Sequence, residues 1–223
     1  MMRDILLAAG LLVIGYFFGC FSTGYLVGKM SGHDIREEGS GNIGTTNALR
    51  TMGAKGGALT FGGDLLKAFI PTLVVRFLIC PSLGYTQAMT YLMTLIVGLG
   101  VVIGHNFPFY LHFKGGKGIA VSAAVIIVSF SITYIGWMAI AIGLAIFIFV
   151  VAVTRYVSLG SLIVVWYFPI YTTIQYHKEG LYIGMLVVSL IFTALAYYKH
   201  KGNISRLLNG TERKLGEKKE KKS

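Results

Sequence analysis

Apolar residues run along this chain in long blocks separated by short polar, glycine-rich segments, and the block lengths predict membrane-spanning helices. A helix rising 1.5 Å per residue needs about 20 apolar residues to cross a hydrocarbon layer about 30 Å thick. On that scale, residues 4–28 form a first span, followed by a polar loop from Lys29 to about Gly57. A second span is predicted over 58–79, a turn over Cys80–Gly84, a third span over 87–103, and a second polar loop over Gly104–Gly118. Residues 119–153 carry no charge and are too many for one ordinary span. They divide near Ser129–Tyr134 into a short fourth helix and a longer fifth. A third polar loop, Thr154–Ser161, leads into a short sixth span ending near Gln175, and a seventh covers about 181–198. The expected fold class is an all-α polytopic membrane protein with about seven transmembrane helices, or five if the fourth and sixth segments re-enter instead of crossing.

Charge tests the count, because cytoplasmic loops carry the excess of Lys and Arg. With seven spans, 17 of the 20 basic residues fall on one side, and only Arg3, Arg76 and Lys178 on the other. This places the N-terminus outside and the C-terminus in the cytoplasm. Every unusual polar motif lies on the basic side. The chain reads as one transmembrane domain, 1–200, and a basic cytoplasmic tail, 201–223.

Composition narrows the class further. Of 223 residues, 55% are hydrophobic and 13% charged, against about 25% charged in soluble domains. That excludes a soluble globular enzyme and a disordered chain. Two cysteines, Cys20 and Cys80, cannot build a disulfide framework. The first apolar run continues through Phe17, Phe18 and Phe21 without a small-residue cleavage site, so it reads as a retained span. The net charge of +11 is concentrated at the end of the chain, where residues 199–223 hold nine basic side chains. No nucleic-acid motif accompanies them, and the anionic leaflet of a bilayer is the expected partner.

The loops carry the candidate chemistry. Gly39-Ser40-Gly41-Asn42-Ile43-Gly44 through Arg50 formally matches a dinucleotide fingerprint, but a membrane hairpin offers no βαβ unit to hold one. Its physics still favours an anion. Glycines admit close approach, the start of a helix attracts negative charge, Ser40, Asn42, Thr46 and Asn47 donate, and Arg50 adds a planar fork. Asp64 and Lys67 share one helix face at i,i+3 spacing, where each can offset a burial cost of about 2.5–3.5 kcal/mol. Lys114-Gly115-Gly116-Lys117-Gly118 lacks Walker spacing yet sets two lysines among glycines at a helix start. Thr154–Ser161 offers Arg155, Ser158 and Ser161. Past the last span, His200 and Asn203 share a face if the helix continues. No Cys, His and Asp spacing suggests a metal site.

These segments, taken in order, resemble the bacterial acyl-phosphate:glycerol-3-phosphate acyltransferase family, PlsY. The likeness extends over nearly the whole chain and rests on residues 39–50, the Gly-Asp-x-x-Lys at 63–67, Gly104-His105 through Gly118, Thr154–Ser161, and His200 with Asn203. It implies an inner-membrane enzyme that makes lysophosphatidic acid for phospholipid biosynthesis from acyl phosphate and glycerol 3-phosphate. It implies that Ser40, Gly41, Asn42, Thr46, Gly115 and Gly116 surround the acyl-phosphate head. Arg50, Lys117, Ser158, Ser161, His200 and Asn203 would hold the glycerol phosphate, with Lys117, Arg50, His200 and Asn203 acting in catalysis and Asp64–Lys67 as a supporting ion pair. No cofactor or metal is implied, and the enzyme that makes acyl phosphate is a potential functional partner.

The residues themselves agree with that chemistry. Three basic-side loops can clamp two anions, and an acyl phosphate, as a mixed anhydride, needs no covalent enzyme nucleophile. No Gly-x-Ser-x-Gly elbow is present, and none of the five histidines has an Asp five positions on. Direct attack by the glycerol 1-hydroxyl is expected. Its proton could pass to a substrate phosphate, His200 or Asp64, with the phosphate favoured. An organic-anion transporter is the rival class, but transporters place their sites between internal repeats, and no repeat is found here. A non-catalytic lipid-binding protein would have little use for Arg50, Lys117 and Asp64 together.

Overall fold

The structure is a computed structural model and describes residues 2–217; it is helical, with no strand among the described residues. Helix α1 (Met2–Cys20) and α2 (Thr23–Met30) form a bent first span. Helix α3 (Thr45–Val74) continues through a π-turn (Val75–Ile79) into the single turn α4 (Cys80–Ser82). Then come α5 (Gln87–Asn106), a 3-10 turn (Phe109–Leu111), α6 (Ile119–Phe130), α7 (Tyr134–Thr154), α8 (Val157–Val164), α9 (Tyr167–Tyr176), α10 (Tyr182–Lys199) and α11 (Lys201–Leu208).

Among the described residues, six segments are long and apolar enough to cross a membrane: Met2–Met30, Thr45–Ser82, Gln87–Leu111, Tyr134–Thr154, Val157–Tyr176 and Tyr182–Lys199. Helix α6, with 12 residues, is the short one. The sixth hydrophobic segment, expected to be short, has 20 residues because α8 and α9 continue across a break at Val165–Trp166. The first polar loop is also shorter than the sequence predicts. Residues 45–57 are polar yet helical, since a helix at a membrane surface needs no apolar block. Gly53, at φ 71° and ψ −170°, breaks that helix in a backbone region open almost only to glycine.

Close approach of α1 and α5 organises the bundle. Each carries a Gly-x-x-x-Gly pair, Gly15/Gly19 and Gly100/Gly104. A Cβ at Gly19 would lie 2.1 Å from Val101 O, and one at Gly104 would lie 2.0 Å from Tyr16 O. In lipid, where apolar contact alone does not favour helix association, such small-residue faces let backbones pack directly. Between α5, α6, α9 and α10 lies an aromatic core, with ring pairs Phe130–Tyr171 at 3.8 Å, Phe168–Phe192 at 4.3 Å and Tyr91–Tyr176 at 4.4 Å. By contrast α7 buries only Gly136, as suits a helix facing lipid on one side and a cavity on the other.

Arg76 explains how α6 can stop after three turns. Its guanidinium donates to Val128 O at 2.6 Å, Ser131 Oγ at 2.5 Å and Ser131 O at 3.0 Å. Carbonyls that end a helix need partners; Arg76 supplies one to Val128 O, while Tyr171 Oη donates to Phe130 O at 3.3 Å. At the other end of the chain, the division expected at residue 200 is not a structural boundary. Helix α11 follows α10 directly, and residues 211–217 fold back over the loops. Lys218, Lys219, Lys221 and Lys222 lie outside the described residues.

Candidate active site

A cavity of about 790 Å³ opens between the start of α3, helices α6, α7 and α8, and the α10–α11 junction. One end is polar, lined by Ser40, Asn42, Thr45, Thr46, Arg50, Lys117, Ser158, Ser161, His200, Asn203 and Glu212. The other is an apolar crevice between α6 and α7, lined by Ala120, Ala123, Ile126, Ile127, Ala139, Ile140, Leu144 and Phe147. Four segments far apart in the chain thus face one space that is greasy at one end and cationic at the other.

The first loop is shaped by Asn47. Its Oδ1 accepts from Ser40 N at 2.8 Å, and its Nδ2 donates to Ile35 O at 3.1 Å and Glu38 O at 3.0 Å. Asn42 Oδ1 accepts from Gly44 N at 3.0 Å. Helix α3 then starts at Thr45 with no side-chain cap, leaving its positive end directed at the cavity. Thr45 Oγ1 is buried without a partner among the described residues. Gly41 does not line the cavity; at φ +71° it turns the chain beneath Ser40.

The second, third and C-terminal segments meet at Lys117. Lys117 Nζ donates to Asn203 Oδ1 at 2.6 Å, and Asn203 Nδ2 donates to Glu212 Oε1 at 2.6 Å. The same Glu212 carboxylate accepts from Ser158 Oγ at 2.8 Å and from Arg206 Nε at 2.7 Å. Burial lowers the Lys117 ammonium to about 8; Arg206, Arg50 and Lys199 push the same way while Glu212 opposes. Burial likewise lowers His200 to about 4, with Lys117 adding to the effect. His200 is therefore a neutral imidazole whose Nδ1 lies 2.8 Å from Ala196 O and donates to it, leaving Nε2 with a free lone pair. Burial pushes the Glu212 carboxyl up, but hydrogen bonds from Asn203, Ser158 and Arg206 together outweigh it and hold the group below its usual range.

Beneath the polar end, Lys67 Nζ lies 2.8 Å from Asp64 Oδ1, 2.8 Å from His105 Nδ1 and 2.8 Å from Phe21 O. The contact with Oδ1 is an ion pair lacking the alignment of a hydrogen bond. Asp64 and His105 line the cavity, whereas Lys67 does not. Gly115 and Gly116 do not line it either. Their amides donate to Asn106 O at 3.1 Å and His105 O at 3.0 Å, closing the end of α5, so they are not free to bind an anion. Their small size is what the fold uses: a Cβ on Gly116 would lie 2.1 Å from His105 Nε2.

Sequence reasoning gave no role to Glu212, Arg206, Arg213, Lys199 or His105, although all five line the cavity. Glu212 lies within a run of basic residues that reads as a tail, and no spacing in that run marks it out. Residues 213–215 tie the C-terminal segment down, with Arg213 donating to Gly39 O at 3.1 Å and Arg155 to Leu215 O at 2.7 Å. Among the described residues, no group of three His, Cys, Asp or Glu side chains is arranged to hold a metal ion.

Comparison with known proteins places this geometry in context. A family model described as glycerol-3-phosphate acyltransferase matches residues 9–210. The chain is 44% identical to a glycerol-3-phosphate acyltransferase of Clostridioides difficile (strain 630), over 93% of this chain and 95% of that protein. It is 36% identical to one from Bacillus subtilis (strain 168), over 94% and 98%. Its fold matches a crystal structure of PlsY (YgiH), an integral membrane glycerol 3-phosphate acyltransferase, in the glycerol 3-phosphate form. That match has a TM-score of 0.77 and 31% identity and covers 94% of this chain and 96% of the other. The lysophosphatidic acid form of that protein matches with a TM-score of 0.75.

Proposed function

The chain belongs to the glycerol-3-phosphate acyltransferase family, and we propose that it moves a fatty acyl group from an acyl phosphate to the 1-hydroxyl of sn-glycerol 3-phosphate, releasing lysophosphatidic acid and phosphate. One observation carries this reading. Among the described residues, the cavity that holds the apolar crevice is also lined by six cationic side chains, Arg50, Lys117, Lys199, Lys201, Arg206 and Arg213, against two carboxylates, Asp64 and Glu212. Each phosphate group brings roughly −1.5 to −2 charges near neutral pH. The excess of four cations therefore suits two phosphorylated reactants bound side by side, one of them with a fatty tail.

In this reading the start of α3, with Ser40, Asn42, Thr45 and Thr46, takes the acyl-phosphate head, and the chain lies between α6 and α7. Arg50, Lys117, Ser158, Ser161, His200 and Asn203 take glycerol 3-phosphate. The glycerol 1-oxygen attacks the acyl carbon, the bond from that carbon to the phosphate oxygen breaks, and phosphate leaves with the electron pair. Lys117 stabilises the charge gathering there. The hydroxyl proton passes to a substrate phosphate oxygen. A phosphate with a second pKa of about 6 is a better base here than His200, lowered to about 4, or than Asp64, which faces Lys67 at 2.8 Å. Holding the two reactants in line supplies about 7–11 kcal/mol of the barrier reduction.

The excess of Lys and Arg in these loops supports a site at the cytoplasmic face of a bacterial inner membrane, with the N-terminus outside. Because an acyl phosphate is a reactive anhydride, an enzyme that makes it close by is the natural functional partner. The test is an assay of purified protein in detergent with palmitoyl phosphate or palmitoyl-CoA and labelled glycerol 3-phosphate. Lysophosphatidic acid should form from the phosphate donor alone; formation from the thioester alone would overturn the choice of donor.

A further inference from the structure

We infer that His105 is a further catalytic residue, a fixed neutral N–H donor to the carbonyl oxygen of the acyl group. The inference rests on the acyl-phosphate reading above. His105 sits at the last turn of α5, 3% exposed, and lines the cavity. Lys67 Nζ stands 2.8 Å from its Nδ1. An ammonium has only protons to offer, so Nδ1 must be the accepting nitrogen, and in a neutral imidazole the proton then sits on Nε2. Asp64 Oδ1, at 3.6 Å from Nδ1, is too far to reverse that assignment. The Asp64–Lys67 pair therefore selects the tautomer, and the Nε2–H has no acceptor among the described residues.

Position makes that proton useful. Nε2 packs on Gly116, one residue before Lys117, and α6 begins at Ile119 as a wall of the apolar crevice. The acyl carbonyl joins the fatty chain to the phosphate, so it lies where the apolar crevice meets the cationic end, and the inference sets it against this imidazole, which lines the same cavity. During attack the carbonyl carbon becomes tetrahedral and its oxygen gains negative charge. A preorganised neutral donor at that oxygen lowers the barrier without disturbing the charge balance of the phosphate sites, and loss of such a donor typically costs about 10²–10³-fold in kcat.

Two substitutions separate this role from a structural one. H105N keeps an acceptor near the Nδ1 position for Lys67 but removes the donor into the cavity. H105Q keeps an amide donor near the Nε2 position but removes the acceptor for Lys67. With palmitoyl phosphate as donor, H105N should lose about 10²–10³-fold in kcat with KM for both substrates and the melting temperature near wild type. H105Q should melt earlier yet keep kcat within about tenfold. Wild-type kcat in folded H105N, or an equal kcat loss in folded H105Q, overturns the inference. In the wild-type protein, nitrogen-labelled histidine spectra should show one Nε2–H proton moving downfield when an acyl phosphonate binds, and absence of that movement overturns it independently of variant folding. A wild-type protein inactive with palmitoyl phosphate would instead remove the reading on which the inference stands.

Discussion

Lys117 and Asn203 are 86 positions apart in the chain and joined by a 2.6 Å hydrogen bond. That bond ties the glycine-rich second loop to helix α11, and through Asn203 it ties both to Glu212. The site is thus closed by a segment that hydropathy assigns to a tail. Its working parts depend on one another, which gives the predictions their direction.

Lys117 should set the alkaline limb of activity. Its ammonium is lowered to about 8 in the unliganded protein, chiefly by burial. Binding a phosphate requires the charged form, so kcat/KM for glycerol 3-phosphate should fall as pH rises through about 8. The corresponding stability runs the other way. A lysine with a folded pKa below its unfolded value of about 10.4 destabilises the fold at neutral pH and relaxes that penalty as pH climbs from about 8 upward. Lys117→Arg, which stays charged, should abolish the kinetic limb. Lys117→Ala should cut kcat at least about 100-fold with normal protein levels in the membrane.

Glu212 should act as a clamp. Its carboxylate accepts from Asn203, Ser158 and Arg206, and each hydrogen bond to a charged group is worth about 1.5–3 kcal/mol. Glu212→Ala should lower the melting temperature of the detergent-solubilised protein and raise KM for glycerol 3-phosphate about tenfold, equivalent to the loss of one such bond. A truncation after Leu208 should reproduce both effects, and an unchanged KM would show that the segment does not shape the polar end.

Gly116 should be intolerant of any side chain. A Cβ there would lie 2.1 Å from His105 Nε2 and 2.7 Å from its Cε1. Both His105 and the adjacent Lys117 would shift, and misplacement of about 1 Å can cost 10²-fold in rate. Gly116→Ala should therefore lose activity steeply, whereas Gly62→Ala, with nothing within 4 Å of its Cβ, should remain near wild type.

The α1–α5 contact should control assembly and leave the chemistry intact. A Cβ at Gly15 or Gly100 would collide with backbone, 2.2 Å from Val97 O and 2.2 Å from Leu12 O, and backbone cannot rotate away. Gly15→Leu or Gly100→Leu should sharply reduce the amount of folded protein recovered from membranes. The fraction that folds should keep its KM values, which comparison of melting curves with kinetics on the same sample would show.

Much of this molecule is written in the order of its residues. Apolar block length set the spans, because a bilayer accepts backbone only as closed hydrogen-bonded helices, and the split of residues 119–153 fell where α6 ends at Phe130 and α7 starts at Tyr134. Arg50 and Lys117 stood out because they sit among glycines and polar donors at helix starts, while the expected roles of His200 and Asn203 came from the family resemblance. Tertiary structure decided what each then does. It engaged the Gly115 and Gly116 amides with the end of α5, made helix of residues 45–57 despite their polarity, and drew Glu212 out of a basic run into the centre of the site. Hydropathy measures the solvent each residue prefers, a local property; which donor meets which acceptor depends on how distant helices pack, and no local pattern holds that distance.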